Sequence, residues 1–220
     1  LSLPMGCEIE AAVGVGYGAP DRYGFHALEC FQTMLERRRD AETGIQWVEA
    51  LTEQAMWKAV DKGTIRKDLL DAALKVVPTT KQDLRKFNGK NMGFLFKYND
   101  GLLGAIFMLH NRARGISVAL KLKGKSHPTA TWFEEKRRPW AHFAYQLKAI
   151  ERMIHTGMPS YPVERTLLTA GALDALLSSR FENHRRLETP HLAIAYEPVD
   201  YPHAPHMDLG ADPRKQWKGG

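Results

Sequence analysis

Cysteine is scarce in this sequence of 220 residues: the two present, Cys7 and Cys30, are too few for a framework of disulfides. Such a low count is typical of a reducing compartment, so we expect a cytoplasmic protein. The sequence shows neither a signal peptide nor an apolar run near the ~18 residues that a membrane-spanning helix needs. We therefore expect neither a secreted disulfide-rich domain nor a membrane protein.

The sequence also lacks a strong excess of one charge. Lysine and arginine number 31 against 25 aspartates and glutamates, which gives a net charge of +6. The basic residues form short groups at 37–39, 136–138 and 185–186, where predicted helices end or loops begin. Such groups complement helix ends or stay solvated, so we expect no nucleic-acid partner.

No Gly-x-Gly-x-x-Gly motif of a dinucleotide-binding fold occurs in the chain. Gly14, Gly16 and Gly18 form an alternating string that lacks this spacing, and Pro20 follows them before the predicted helix. A phosphate-binding loop is therefore disfavoured. Close packing of another element, or of a ligand, against the glycine backbone is favoured instead.

A metal site is not expected either. His203, His206 and Asp208 have the side chains of metal ligands, but the prolines at 198, 202, 205 and 213 exclude the helix that would place them on one face. We interpret residues 198–220 as an extended, proline-rich C-terminal arm and residues 1–197 as a single domain.

Hydrophobic periodicity divides this domain into strands and helices. Alternating apolar residues predict strands at 8–18, 45–51, 92–98, 102–109, 116–122, 129–134 and 191–196. Apolar stripes predict helices at 23–38, 53–61, 65–77, 140–155 and 163–181. A turn at 99–101 favours an antiparallel meander of three strands between 92 and 122. The pattern predicts an α+β fold, an open and mainly antiparallel sheet with helices packed on one face, and a helical insertion at about 52–90.

The faces of this sheet carry a prediction about partners. The helices at 140–155 and 163–181 have long apolar stripes and are expected to cover one face. The far face would then need cover from outside the chain for its apolar residues, which are Leu103, Ala105, Phe107 and Leu109. We therefore expect a homo-oligomer or contact with a partner domain.

One segment gathers more reactive groups than any other. Asp21, Arg22, Tyr23 and His26 lie where the first strand gives way to the first helix, where backbone N–H groups are free. Asp21 can cap the helix, and a neutral imidazole near the helix N-terminus can act as a base. The alternative is a helix cap followed by a packed histidine.

A second polar cluster lies between two predicted strands, at His110, Asn111 and Arg112. Ligands commonly meet an open sheet at the ends of its strands, so these three residues are candidate substrate-binding groups together with Asp21, Arg22 and Tyr23. A solvated hairpin loop is the alternative interpretation.

Three motifs, taken in order over residues 8–197, resemble the C-terminal domain of the Gfo/Idh/MocA oxidoreductases, the family of glucose-fructose oxidoreductase and inositol dehydrogenase. Residues 23–29 look like the family's Asp-x-Gly-x-His-x-(Leu/Ile)-Asp segment. Residues 94–104 are similar to its strand-turn-strand with Asp-Gly at the turn. The helices around 143–159 and 172–179 resemble the family's pair of helices.

The resemblance implies a sheet whose second face supports an active site and oligomer contacts. It implies that His26 exchanges a proton with a hydroxyl of a sugar or polyol while the nicotinamide of NAD or NADP carries the hydride. The chain departs from the family in three ways. Arg22 stands where the family has Asp, the insertion at 52–90 is longer, and the dinucleotide-binding half with its Glu-Lys-Pro motif is absent.

Two hypotheses follow from the missing half. One hypothesis is that the chain is the substrate-binding and oligomerisation domain of an NAD(P)-dependent oxidoreductase whose nucleotide-binding half was removed, lies on another chain or was not included. The start at Leu1 without methionine suggests a fragment or a processed piece. Alternatively, the chain is a stand-alone, non-catalytic module that binds a ligand or self-associates.

Overall fold

A computed structural model describes residues 3–135 and 142–200 of the chain. Its centre is an open seven-stranded sheet with the strand order β6-β5-β1-β4-β3-β2-β7. The strands are β1 (Ile9–Gly16), β2 (Ile45–Leu51), β3 (Met92–Tyr98), β4 (Leu103–Met108), β5 (Ile116–Leu122), β6 (Thr129–Phe133) and β7 (Leu187–Glu188). The helices are α1 (Pro20–Leu35), α2 (Glu53–Asp61), α3 (Lys67–Val76), α4 (His142–Thr156) and α5 (Val163–Phe181). The open α+β sheet predicted from the sequence is confirmed.

The pairing of the strands corrects one prediction. The meander predicted between 92 and 122 does not form, because β1 lies between β4 and β5, parallel to β4 and antiparallel to β5. Alternation shows that a segment is a strand, but it carries no information about which strand lies beside it. The turn at 99–101 is confirmed: Gly101 has a φ of 91°, and the Asp100 carboxylate accepts from the Leu102 N–H.

One face of the sheet is covered by α1 and α5. Phe31 of α1 packs edge-on against Phe96 of β3, and Leu168 and Leu176 of α5 are fully buried in the same cluster. The glycines of β1 let α1 come close: a Cβ on Gly16 would lie 3.0 Å from the Ala27 Cβ. The close packing predicted for this string is confirmed.

A buried polar network joins α1 to the end of the described chain. The Glu42 carboxylate accepts from Arg38 at 2.9 and 3.1 Å, and Gln32 also donates to it. Gln32 donates to the Tyr196 hydroxyl as well, and Tyr196 donates to Glu36. Because each buried polar group in this set has a partner, the network fastens residues 193–196 onto α1 without a desolvation penalty left uncompensated.

The insertion covers the opposite face of the sheet. α2 packs on β2 and β3, and α3 packs on β1, β5 and β6. Together they bury Ala105, Phe107 and Leu109, of which Leu109 is 0% exposed. The expectation that this face needs a partner is therefore corrected, because the chain supplies the cover itself. The sequence pattern showed two amphipathic helices but not where they would dock.

α4 does not pack on the sheet, which corrects a second expectation. α5 covers the sheet as predicted, but the apolar stripe of α4 at Phe143, Leu147, Ile150 and Ile154 is exposed. Only Ala149 and Arg152 of this helix are buried. An apolar stripe indicates that a helix buries one face, but it does not identify what covers that face.

The ends of two elements also differ from prediction. α1 begins at Pro20, because proline suits the first helical turn; the N-cap is Ala19, and Asp21 makes no capping hydrogen bond. The strand predicted at 191–196 is instead a short 3-10 helix (Pro190–Leu192) and a single bridge between Tyr196 and Glu42. Most of the predicted C-terminal arm, with His203, His206 and Asp208, lies outside the described residues.

Gly93→Ala tests the docking of α2 on the far face of the sheet. A Cβ on Gly93 would lie 2.8 Å from the Met56 Cβ, an atom fixed to the backbone of α2. We expect the free energy of unfolding to fall by about 1–3 kcal/mol, as for other overpacked cores. Lys97→Ala on the same strand is the control and should change stability by less than about 0.5 kcal/mol. Urea unfolding measures both, and equal stabilities would contradict this position of α2.

Candidate functional site

Four strands end at the same edge of the sheet. The pairings make β1, β2, β4 and β6 run in one direction, while β3 and β5 run the opposite way. Residues that follow the four strands are therefore neighbours in space, although they are far apart in sequence. Ligands of open sheets bind beyond the carboxyl ends of the strands, which makes this edge the first place to look for a site.

A cavity of about 820 Å³ opens at this edge, beyond the ends of β1, β4 and β6. Nine of its twelve lining residues carry a polar or charged side chain. The lining residues are Tyr17, Gly18, Ala19, Asp21, Arg22, Tyr23, Thr80, His110, Asn111, Ala113, Arg114 and Glu135. Its size falls within the range of small-molecule sites.

Two clusters predicted separately from the sequence meet in this cavity. Asp21, Arg22 and Tyr23 reach it from the first turn of α1, and His110 and Asn111 reach it from the turn after β4. The contact exists because β1 pairs in parallel with β4, with Gly16 opposite Met108. Asn111 has a φ of 58°, a left-handed conformation that asparagine tolerates and that lets the chain turn sharply here.

His26 lies beside the cavity and not in its wall. Its imidazole is exposed on α1, with ring centroids 6.3 Å from Tyr23 and 6.0 Å from Phe25. His26 follows Tyr23 by three residues and Arg22 by four, so the three side chains share one helical face. The buried, packed histidine offered as an alternative does not occur.

Arg112 belongs to a different part of the structure. Its guanidinium is buried and donates to the backbone carbonyl oxygens of Asp83 and Lys86, the latter at 3.1 Å. These contacts fix the loop between α3 and β3, and they turn the side chain away from the cavity. The next arginine along the chain, Arg114, lines the cavity instead.

Four polar residues of the wall were not among the predicted site residues, namely Tyr17, Thr80, Arg114 and Glu135. The Tyr17 hydroxyl donates to Glu135 Oε1 at 2.7 Å, across 118 residues of sequence. Burial and this carboxylate raise the pKa of Tyr17 well above its ordinary value, so the phenol stays protonated. Glu135 follows β6, so counting strand directions in the correct sheet order would have placed it at this edge.

The wall combines both signs of charge with aromatic surface. Asp21 and Glu135 are acidic, and Arg22 and Arg114 are basic. The rings of Tyr17 and Tyr23 lie 4.6 Å apart with a 39° tilt. Carboxylates accept from hydroxyl groups, guanidinium groups donate to them, and aromatic rings contact apolar C–H faces. Such a set of groups suits a neutral ligand with several hydroxyl groups.

A dinucleotide does not fit at the N-terminus of α1. The first helical residue is Pro20, which has no N–H to donate, and the Asp21 carboxylate would repel a pyrophosphate. The Tyr23 ring also packs over the turn, since a Cβ on Gly18 would lie 2.2 Å from it.

Among the described residues, no group of three or more histidines, cysteines, aspartates or glutamates could hold a metal ion. No helix in that part of the chain could cross a membrane.

Comparison with known proteins shows the fold. No family model and no curated protein matches the sequence. Among solved structures, GenD2 from gentamicin A biosynthesis in complex with NAD matches 82% of this chain at a TM-score of 0.52 and 12% identity. Scyllo-inositol dehydrogenase from Lactobacillus casei, with bound NAD(H) and scyllo-inositol, matches 82% of this chain at a TM-score of 0.50 and 12% identity. The match covers 55% of the first structure and 56% of the second, so it spans about half of each.

Arg112→Ala and Arg114→Ala separate the loop from the cavity. We expect Arg112→Ala to lower the free energy of unfolding by about 2 kcal/mol, because buried hydrogen bonds from a charged donor are lost. Arg114→Ala removes an exposed side chain and should change stability by less than about 0.5 kcal/mol. Urea unfolding gives both values, and a larger loss for Arg114→Ala would contradict these positions.

Proposed function

We propose that this chain is the substrate-binding half of an NAD(P)-dependent oxidoreductase that acts on a hydroxyl of a sugar or polyol. The observation that carries the proposal is the polar cavity of about 820 Å³ at the carboxyl edge of the sheet. The fold supports it, because the chain aligns with about half of two NAD-bound structures, one of them an inositol dehydrogenase.

Recognition of the ligand rests on groups that both donate and accept. In the proposed complex Asp21 and Glu135 accept hydrogen bonds from ligand hydroxyls, and Arg22, Arg114 and Asn111 donate to hydroxyl oxygens. The paired rings of Tyr17 and Tyr23 contact the C–H face of the sugar ring. Because the ligand replaces water at several polar groups, binding depends on the number and arrangement of its hydroxyls.

His26 is the proposed proton acceptor. It lies one helical turn beyond Arg22, at the rim of the cavity, with its imidazole exposed. A hydroxyl of a ligand that extends to this rim can donate its proton to a neutral imidazole, the usual general base in proteins. Substrate-binding roles are proposed for Asp21, Arg22, Tyr23, His110 and Asn111, but not for Arg112, whose guanidinium holds the loop at 83–86.

The nicotinamide must be held outside the described residues. The α1 N-terminus does not suit a pyrophosphate, and no Gly-x-Gly-x-x-Gly motif occurs in the sequence. We propose that a dinucleotide-binding domain meets the His26 side of α1. The second candidate function is that of a module that binds the same ligand without catalysis. It is favoured by the same observation, that a dinucleotide does not fit at the N-terminus of α1.

Ligand binding to the 220-residue chain tests the cavity directly. We expect isothermal titration calorimetry with scyllo-inositol and a panel of monosaccharides to detect saturable binding of at least one of them. Asp21→Asn and His110→Ala should each weaken that binding by about 10-fold, the loss of roughly one hydrogen bond.

His191→Ala is the matched control, because His191 is exposed and lies outside the cavity. Its affinity should equal that of the wild type. The proposal fails if no member of the panel binds, or if His191→Ala weakens binding as much as His110→Ala does.

His26→Asn separates catalysis from binding and from stability. The side chain is exposed, so the melting temperature should stay unchanged. Asparagine can still accept a hydrogen bond from the ligand hydroxyl, so the affinity for the polyol should change little. Turnover measured with a dinucleotide-binding domain joined to the chain should fall by about 100-fold, the effect of losing a general base. Full turnover in the variant would end the catalytic role of His26. Absence of turnover in the wild type, with ligand bound, would favour the non-catalytic module.

A further inference from the structure

α4 presents an apolar stripe to solvent. Phe143 is 54% exposed, Leu147 64%, Ile150 39% and Ile154 74%. The spacings of four, three and four residues place these side chains on one face of the helix. Met153, 42% exposed, widens the same stripe.

The side of α4 that meets the rest of the domain is the less apolar one. Its two buried residues are Ala149 and Arg152, which lie roughly opposite the stripe at about 100° per residue. The loop after α4 holds this orientation, because the Ser160 hydroxyl donates to the Ala149 carbonyl oxygen at 3.1 Å. A helix that turns its larger apolar face outward indicates that another surface covers that face.

The exposed apolar area around α4 is large enough for a specific interface. Among the described residues, eight of the thirteen large apolar side chains that are exposed fall between Phe143 and Leu167. Half-exposed side chains of this size present on the order of 100 Å² each, so the five of them on α4 together present roughly 500 Å². Apolar atoms make up roughly 60% of a typical interface, so this is the apolar share of the ~800 Å² that one partner contributes to an interface of standard size.

Charge does not oppose contact between two copies of this surface. Lys148 on α4 is paired with Glu151 one turn later, at 2.9 Å. Arg165 at the start of α5 is paired with Glu36 at 3.0 Å and stacks on the Tyr161 ring. These two basic groups are therefore paired within the chain, so they do not bring unpaired positive charge into contact with a second copy.

We infer that the α4 stripe is a homodimer interface, in which α4 packs antiparallel against α4 of a second copy. The four residues of the stripe are spaced by four, three and four positions, an order that is the same in both directions along the helix. A two-fold axis near residue 148 therefore places Leu147 against the partner subunit's Ile150, and Phe143 against the partner subunit's Ile154. Self-complementary contacts of this kind define a two-fold interface. One face of the sheet is covered by α1 and α5 and the other by α2 and α3, so neither face is available as a dimer interface.

Light scattering with size-exclusion chromatography tests the dimer on the full 220-residue chain. At tens of micromolar we expect about twice the 24.9 kDa monomer mass, as for a micromolar interface. The double variant with Leu147→Glu and Ile154→Glu should be monomeric at the same concentration. Both side chains are exposed in one copy, so circular dichroism and the melting temperature of the monomer should not change.

Phe181→Glu is the control, because Phe181 is 90% exposed and apolar but lies at the far end of α5. This variant should remain a dimer. Cysteine substitution then tests the antiparallel orientation of the two α4 helices. After oxidation, a mixture of Leu147→Cys and Ile150→Cys chains should form more intermolecular disulfide than either variant alone.

Three outcomes overturn the inference. They are a wild-type monomer at all concentrations, dissociation by Phe181→Glu but not by the double variant, and equal cross-linking of the mixture and the single variants. A wild-type monomer whose α4 becomes protected from hydrogen exchange only when a dinucleotide-binding domain is joined would assign the stripe to that domain instead.

Discussion

The parallel pairing of β1 with β4 is the constraint on which the rest of the structure depends. It aligns Gly16 with Met108 and so brings the turn before α1 beside the turn after β4. The pairing needs α1 to return closely over the sheet, and small residues allow this: a Cβ on Gly14 would lie 3.0 Å from the Phe31 ring. The meeting of the two turns in the cavity wall, and with it the position of His26 beside the cavity, depends on this pairing.

Most strands and helices could be predicted from local sequence patterns. The pairing of strands that are far apart in sequence could not. The alternation of apolar residues at 45–51 and 116–122 predicted two strands whose first and last residues agree with the structure. The position of β1 between β4 and β5 produces no pattern in the local sequence. Which surface covers α2 or α4 also depends on contacts with residues far away in sequence. The apolar stripes of these helices do not identify that surface.

The same division holds for the site. The residues Asp21, Arg22, Tyr23, His110 and Asn111 were predicted as site candidates because polar residues at strand and helix ends are visible in the local sequence, and all five line the cavity. Tyr17 and Glu135 were missed because their hydrogen bond depends on the direction of β6 relative to β1. Arg112 and Arg114 look equivalent in sequence, but only the fold shows that the first fixes a loop while the second meets the cavity.

The insertion that covers the far face of the sheet has a consequence for how the domain folds. One sheet supports two hydrophobic clusters, with Val13 and Val15 of β1 in one and Ala12 of the same strand in the other. Both helical layers pack on that shared sheet, so losing one layer exposes strands on which the other depends. We therefore expect the two layers to be thermodynamically coupled, so that two hydrophobic clusters unfold in one cooperative transition.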